Sequence, residues 1–228
     1  MDRIRINGGK PLNGRIAISG AKNAALPLMI ASLLTEDTLV LENVPHLADV
    51  VQLQRILNNH GVDVTLSGKR RGEAEHAGQT VKICAEKIVD TTAPYDLVSK
   101  MRASFWVLAP LIARMGKARV SLPGGCAIGT RPVDLLLMAL ERLGANIKIE
   151  AGDVVADAPK GLRGAEIVFP KVTVGGTHVA VMAAVLADGT TVIENAAQEP
   201  EVKDVADCLV KMGAKISGAG TPRIVIEG

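Results

Sequence analysis

Apolar and polar positions along this chain fall into a pattern that recurs three times. Each copy opens on a densely apolar stretch with helical spacing, at residues 21–34, 96–115 and 177–187. A short strand follows each: Thr38-Leu39-Val40-Leu41-Glu42-Asn43, Ala118-Arg119-Val120-Ser121-Leu122 and Thr190-Thr191-Val192-Ile193-Glu194-Asn195. Then come a loop, an amphipathic helix (50–60, 133–143, 201–212) and a glycine, Gly61, Gly144 or Gly213, that stops the helix and opens another strand. One supersecondary unit used three times predicts an α/β (α+β) domain with pseudo-threefold symmetry, whose helices and sheets bury each other's apolar faces. Two regions fall outside the pattern. Residues 4–6 and 15–18 read as strands ahead of the first unit, and residues 67–79, with Lys69-Arg70-Arg71, read as a solvated hairpin extension.

The repeats act as their own control. Val40 to Gly61 and Val192 to Gly213 are equally spaced, but Val120 to Gly144 is three residues longer. The extra length falls in Pro123-Gly124-Gly125-Cys126-Ala127-Ile128-Gly129-Thr130-Arg131-Pro132-Val133-Asp134. A loop that departs from a regular scaffold is a usual place for binding or catalysis. Its three glycines let the backbone turn sharply, and Arg131 lies near enough in sequence to favour a thiolate at Cys126 or to hold an anion. The plain alternative is a small residue in a tight turn.

Two other stretches offer cations at helix starts. Ser19-Gly20-Ala21-Lys22-Asn23 ends a strand and begins a helix, placing Lys22 and Asn23 beside free backbone N–H groups. Lys171-Val172-Thr173-Val174-Gly175-Gly176 repeats that arrangement. Arg102 sits in an otherwise apolar helix and needs a carboxylate or a ligand anion if it is buried. Together these cations and Arg131 suit a doubly anionic ligand set, such as a diphosphate and a phosphate. Lys22 also reads as an ordinary surface lysine.

Composition narrows the classes. With 48% apolar and 22% charged residues, the 228-residue chain is globular, and two Phe, one Tyr and one Trp are too few for a base-stacking surface. A net charge of +2 is too small for a general polyanion binder, so no nucleic-acid partner is expected. His46, His60, His76 and His178 are scattered, without carboxylates or cysteines at ligand spacing, so neither metal nor other cofactor is expected. Cys84, Cys126 and Cys208 form no close pair and fit a reducing cytoplasm, Cys84 and Cys208 reading as core thiols. The N-terminus lacks a signal-peptide core, and no apolar run is long enough to cross a bilayer.

Several of these stretches resemble the UDP-N-acetylglucosamine 1-carboxyvinyltransferases, the enolpyruvyl transferases that open bacterial peptidoglycan synthesis. The resemblance rests on Ser19 through Pro27, Ala93-Pro94-Tyr95-Asp96-Leu97-Val98, Met101-Arg102-Ala103-Ser104, the Cys126 loop and Glu194-Asn195-Ala196-Ala197. It implies an inside-out α/β barrel domain, and transfer of the enolpyruvyl group of phosphoenolpyruvate to the 3-hydroxyl of the UDP-sugar with release of phosphate. It implies Cys126 as general acid and target of fosfomycin, and Lys22 and Asn23 as phosphoenolpyruvate ligands. The UDP-sugar would be held by Arg102, by Arg131, Pro132, Val133, Asp134 and Leu135, and by Lys171, Val172, Thr173 and Val174. Members of the family are about twice as long, with two such domains closing over the substrates. The resemblance therefore implies a truncated half, in which residues 1–20 belong with the missing C-terminal domain and residues 21–228 form the three-repeat domain. A non-catalytic UDP-sugar-binding module and a shikimate-type enolpyruvyl transferase are the competing expectations. A cysteine hydrolase ranks behind them, since no histidine is placed to serve the thiol.

Overall fold

The computed structural model describes residues 3–68, 78–123 and 133–228. The first unit runs through α1 (Lys22–Ala31), a 3-10 turn (Ser32–Leu34), β1 (Thr38–Val44), α2 (Ala48–Asn59), β2 (Asp63–Ser67) and β3 (Gln79–Cys84). The second comprises β4 (Thr92–Ala93), α3 (Tyr95–Val98), a 3-10 stretch (Arg102–Val107), α4 (Leu108–Met115), β5 (Lys117–Ser121), α5 (Asp134–Arg142), β6 (Asn146–Glu150) and β7 (Asp153–Asp157). The third comprises β8 (Glu166–Val168), α6 (Val174–Ala184), β9 (Thr190–Glu194), α7 (Pro200–Lys211), β10 (Lys215–Ser217) and β11 (Arg223–Glu227).

The three sheets have orders β1-β3-β2, β4-β5-β7-β6 and β8-β9-β11-β10. Helices lie inside and sheets outside. Helix α6 is buried from Gly176 to Ala184, and Ala25, Leu26, Met29 and Ile30 of α1 and Leu108 to Ile112 of α4 are likewise buried. The outer helices α2, α5 and α7 are amphipathic, and β2, β6 and β10 keep solvated faces. Because the central helices are small or apolar all round, they need burial on every side, and the sheets with their outer helices supply it.

Three expectations need correcting. The helix expected over 96–115 is broken into α3, the 3-10 stretch and α4, with Met101 in extended conformation between them. Val98, Met101, Ala103 and Phe105 remain buried across the break, so their apolar density gives no sign of it. The helix expected over 177–187 begins earlier, at Val174, and draws Gly175 and Gly176 into its first turn. A Cβ at Gly176 would stand 2.5 Å from Thr173 Cγ2 and 3.0 Å from Phe169 Cε1, so that glycine serves close packing within a helix. Residues 4–6 and 15–18 form no strand, and Ile4, Ile6, Ile16 and Ile18 are 78–90% exposed. Strand-like alternation yields a strand only where another chain segment completes the hydrogen-bond ladder.

Units one and two are joined by Arg114, in the last turn of α4. Its Nη1 approaches the carbonyl oxygens of Leu33 (3.1 Å), Thr35 (3.1 Å) and Ala85 (2.7 Å), and Nη2 donates to Glu86 O at 3.2 Å. A cation there also suits the helix C-terminus, which Gly116 closes in left-handed conformation. Replacing Arg114 by methionine is expected to cost about 2–3 kcal/mol, because carbonyls of the buried Leu33 and Ala85 lose a charged donor. A urea midpoint unchanged in Arg114→Met would refute that role.

Candidate functional site at the helix starts

The candidate residues stand where sheets hand over to helices. At the first handover the Gly20 N–H donates to Asn43 O at 2.8 Å. Asn43 has φ of 59°, and a Cβ at Gly20 would lie 2.6 Å from its carbonyl oxygen. This close approach explains the glycine before Lys22 and fixes where α1 begins. The α1 N-terminus has Ala21 as cap, without a side-chain capping bond or an acidic residue in the first turn. Its N–H groups are therefore available to an anion. Lys22 and the exposed Asn23 occupy that turn. Lys22 Nζ also pairs with Asp49 Oδ2 of α2 at 3.0 Å. An exposed pair of this kind contributes at most about 1 kcal/mol, so a ligand phosphate can compete for the lysine.

The third handover is more tightly built. Thr173 caps α6, its side chain accepting from the Gly176 N–H at 3.2 Å. Thr177 Oγ1 donates to Thr173 O (2.7 Å) and accepts from the Ala197 N–H (3.0 Å). This leaves Lys171 and Val172 exposed, with Thr173 and Val174 half-buried behind them. Asn195, with φ of 58°, mirrors Asn43 and donates from Nδ2 to Phe169 O at 3.0 Å.

Arg102 begins the 3-10 stretch and is half-buried. That stretch packs against both α1 and α6. Trp106 makes the second of these contacts: a Cβ at Gly175 would lie 3.2 Å from Trp106 Nε1, and the indole lies 5.1 Å from the His178 ring, tilted by 37°. The break in the expected long helix thus places Arg102 on an element locked to the Lys171–Val174 segment. Val133 caps α5, Asp134 is exposed in its first turn, and Leu135 is buried beneath. Cys126, Arg131 and Pro132, together with Lys69, Arg70, Arg71 and His76, lie outside the described residues.

Sequence reasoning missed four contributors. Asp49 answers Lys22, Trp106 and His178 brace the α6 start, and Asp153 holds the strand that leads to the cysteine loop. Asp153 accepts from Ser121 Oγ and, at 2.7 Å, from Arg119 Nε, and these two donors hold its carboxyl below the usual range. Trp106 had one available signal, as the chain's single tryptophan in a sequence with few rings. Cys84 and Cys208 are half-buried, and burial pushes the Cys208 thiol up, away from thiolate chemistry. Among the described residues, no cluster of His, Cys, Asp and Glu suits a metal, and no helix is long and apolar enough to cross a membrane.

Comparison with known proteins places this geometry. Residues 6–228 match the family model described as EPSP synthase (3-phosphoshikimate 1-carboxyvinyltransferase). Proteins named UDP-N-acetylglucosamine 1-carboxyvinyltransferase are 75% identical over the full chain in Nitrobacter winogradskyi and Afipia carboxidovorans, and 74% identical in Rhodopseudomonas palustris. The chain covers 53% of each, so it spans about half the length of the curated relatives it matches. Among solved structures, the enolpyruvyl transferase NikO of Streptomyces tendae superposes with a TM-score of 0.77 at 24% identity, covering 97% of this chain and 50% of NikO. EPSP synthase of Acinetobacter baumannii gives 0.73 at 18% identity, covering 97% and 49%. With three helix-centred units, glycine-bounded helix starts and a family match over nearly its whole length, the chain belongs to the enolpyruvyl transferase family of EPSP synthase.

Proposed function

We propose that this chain carries the cysteine-bearing half of a UDP-N-acetylglucosamine 1-carboxyvinyltransferase site. The observation that carries the reading is 75% identity across all 228 residues to proteins of that name, against 17–24% to solved enolpyruvyl transferases of other names. In the proposed reaction the sugar 3-hydroxyl gives its proton to a base as its oxygen bonds to C2 of phosphoenolpyruvate, and C3 gains a proton from the acid. C3 then loses a proton as the C2–O bond to phosphate breaks, leaving the enolpyruvyl ether and free phosphate.

Protonation of C3 develops positive charge at C2, which calls for an acid beside fixed cations that hold the phosphate. Cys126 is the acid in this reading. Lys22, Asn23 and the uncapped N–H groups of α1 hold phosphoenolpyruvate, and Arg131 stands near the phosphate. Arg102, Arg131–Leu135 and Lys171–Val174 hold the UDP-sugar, with Trp106 keeping two of those segments in register. No cofactor is needed, because proton transfer and charge stabilisation suffice. The substrates, the step in peptidoglycan synthesis and a cytoplasmic location follow from this reading, and fosfomycin would alkylate Cys126. In the same reading, residues 21–228 form one domain and residues 1–20 pack with a second, which supplies the rest of the site. The half alone binds the sugar nucleotide and turns over poorly, since closure cannot exclude water.

Calorimetric titration tests the substrate class. UDP-N-acetylglucosamine is expected to bind, and Arg102→Ala or Lys171→Ala to weaken it at least about 10-fold, the loss of one charge-assisted contact. Tighter binding of shikimate 3-phosphate than of the UDP-sugar would instead favour a shikimate-type enzyme.

A further inference from the structure

The three units depart from their common plan in two places that meet. The inner helices of the first and third units, α1 and α6, are continuous, whereas that of the second is divided into α3, the extended Met101, the 3-10 stretch that begins at Arg102, and α4. The other departure is Gln52 on α2. It is 7% exposed and shares the buried face of that helix with Val50, Leu53, Ile56 and Leu57. At the same distance before the glycine that ends each outer helix, the second unit has the buried Leu135 and the third the exposed Asp204. Of the three, only the first unit buries an amide there.

What Gln52 meets is the first departure. Its Nε2 donates to the Leu97 carbonyl oxygen at 2.8 Å. α3 runs only from Tyr95 to Val98, so its last carbonyls have no helix beyond them in which to find partners. The chain turns away at once: the Met101 N–H donates to Val98 O (3.2 Å) and the Ser104 N–H to Met101 O (3.2 Å). α2 also holds the chain ahead of α3. Asn59 Nδ2 donates to Thr92 O at 2.7 Å, and His60 Nδ1 contacts Asp90 O at 2.8 Å. Of these three clasps, Gln52 is the one nearest in sequence to Arg102. Where α5 packs against α6, the matching position is Leu135, and a continuous helix bonds its own inner carbonyls and offers none to an amide.

We infer that Gln52 is a positioning residue of the sugar-nucleotide site: by fixing the end of α3 it sets where the 3-10 stretch begins, and with it the place of Arg102. The inference rests on the reading of Arg102 as a UDP-sugar contact. Val98 and Met101 are buried on either side of the turn, but apolar contact is not directional and does not by itself fix a backbone register. The amide–carbonyl pair is directional, and a buried amide stabilises only the arrangement in which its bond is made. The far end of the stretch is held separately, by Trp106 against Gly175 and His178. Arg102 therefore lies between two fixed points, one set by α2 of the first unit and one by α6 of the third.

A double-mutant cycle, read by calorimetric titration of the chain with UDP-N-acetylglucosamine, tests the role. Gln52→Met, close in shape but without a donor, is expected to weaken binding about 5-fold. In the Arg102→Ala background it should add less than about twofold, because it acts through that residue. Asn59→Ala removes a clasp farther from Arg102 on the same connection, and should lower the urea midpoint while leaving affinity within about twofold. Should the methionine variant not fold, Gln52→Asn, whose amide is a methylene shorter, gives the same reading. Native affinity in the Gln52 variant beside a weakened Arg102→Ala would overturn the inference and leave the functional reading standing. So would a loss that adds in full to that of Arg102→Ala, or an equal loss in Asn59→Ala. No weakening in Arg102→Ala would remove the functional reading of that residue, and the inference with it.

Discussion

Cys126→Ala is expected to lower turnover by about 10²–10⁴-fold once the site is completed by the second half of the enzyme, the range for losing a positioned general acid. UDP-sugar affinity should stay within about twofold, because the nucleotide contacts proposed for Arg102 and Lys171–Val174 do not pass through the thiol. Cys84→Ala and Cys208→Ala serve as internal controls. Both native thiols are half-buried and remote from the helix starts in sequence, and their removal should leave turnover intact. The same contrast should appear in alkylation: fosfomycin should label Cys126 and spare the other two. Equal labelling of all three would remove the chemical distinction on which the reading of the loop depends.

His178 is expected to make the domain acid-labile. The ring is 1% exposed, neither nitrogen has a partner among the described residues, and its pKa is lowered to about 4 by burial. A base whose folded pKa lies below its unfolded value of 6.5 takes up its proton preferentially in the unfolded chain. Stability is thus fully present above pH 6.5, falls as pH drops through the window, and levels off below about 4. The total loss is about 3 kcal/mol, from roughly 1.4 kcal/mol per pKa unit. His60 adds to the same slope, since burial also lowers its pKa even though Nδ1 contacts Asp90 O at 2.8 Å. Urea midpoints measured at pH 7.5 and 4.5 should therefore differ strongly in the native chain and less in His178→Leu. That variant should also be no less stable at pH 7.5, since it removes unpaired buried nitrogens at similar volume. Identical pH slopes in both proteins would show that His178 carries no such penalty.

The threefold repeat was legible because its signals are local: apolar stretches at helical spacing, outer-helix amphipathicity and a glycine after each outer helix. β4, β7, β8 and β11 were missed as sheet members because pairing is not local. Two-residue Thr92–Ala93 becomes a strand only because Arg119 and Val120 lie beside it. The break before Arg102 was hidden for another reason, since a buried segment keeps its apolar residues whichever backbone it adopts. Lys22 and Lys171 stood out as cations at glycine-bounded helix starts and Arg102 as a cation in an apolar stretch, and the structure places α1, the 3-10 stretch and α6 in contact. Asp49 and His178 were not legible. Their meaning lies in what they face across the domain, a lysine 27 residues away and a tryptophan on another helical segment.

In the proposed function this chain holds the acid and the sugar-nucleotide contacts of an enolpyruvyl transfer site that a second domain completes. Phosphate release from phosphoenolpyruvate with UDP-N-acetylglucosamine, measured for the chain alone, with the separately produced second half, and with Cys126→Ala in that mixture, tests it most directly. The expected result is little release alone, release restored by the second half, and its loss again in the variant. Sustained turnover by the isolated chain as a monomer, or full activity of the mixture without the thiol, would contradict it.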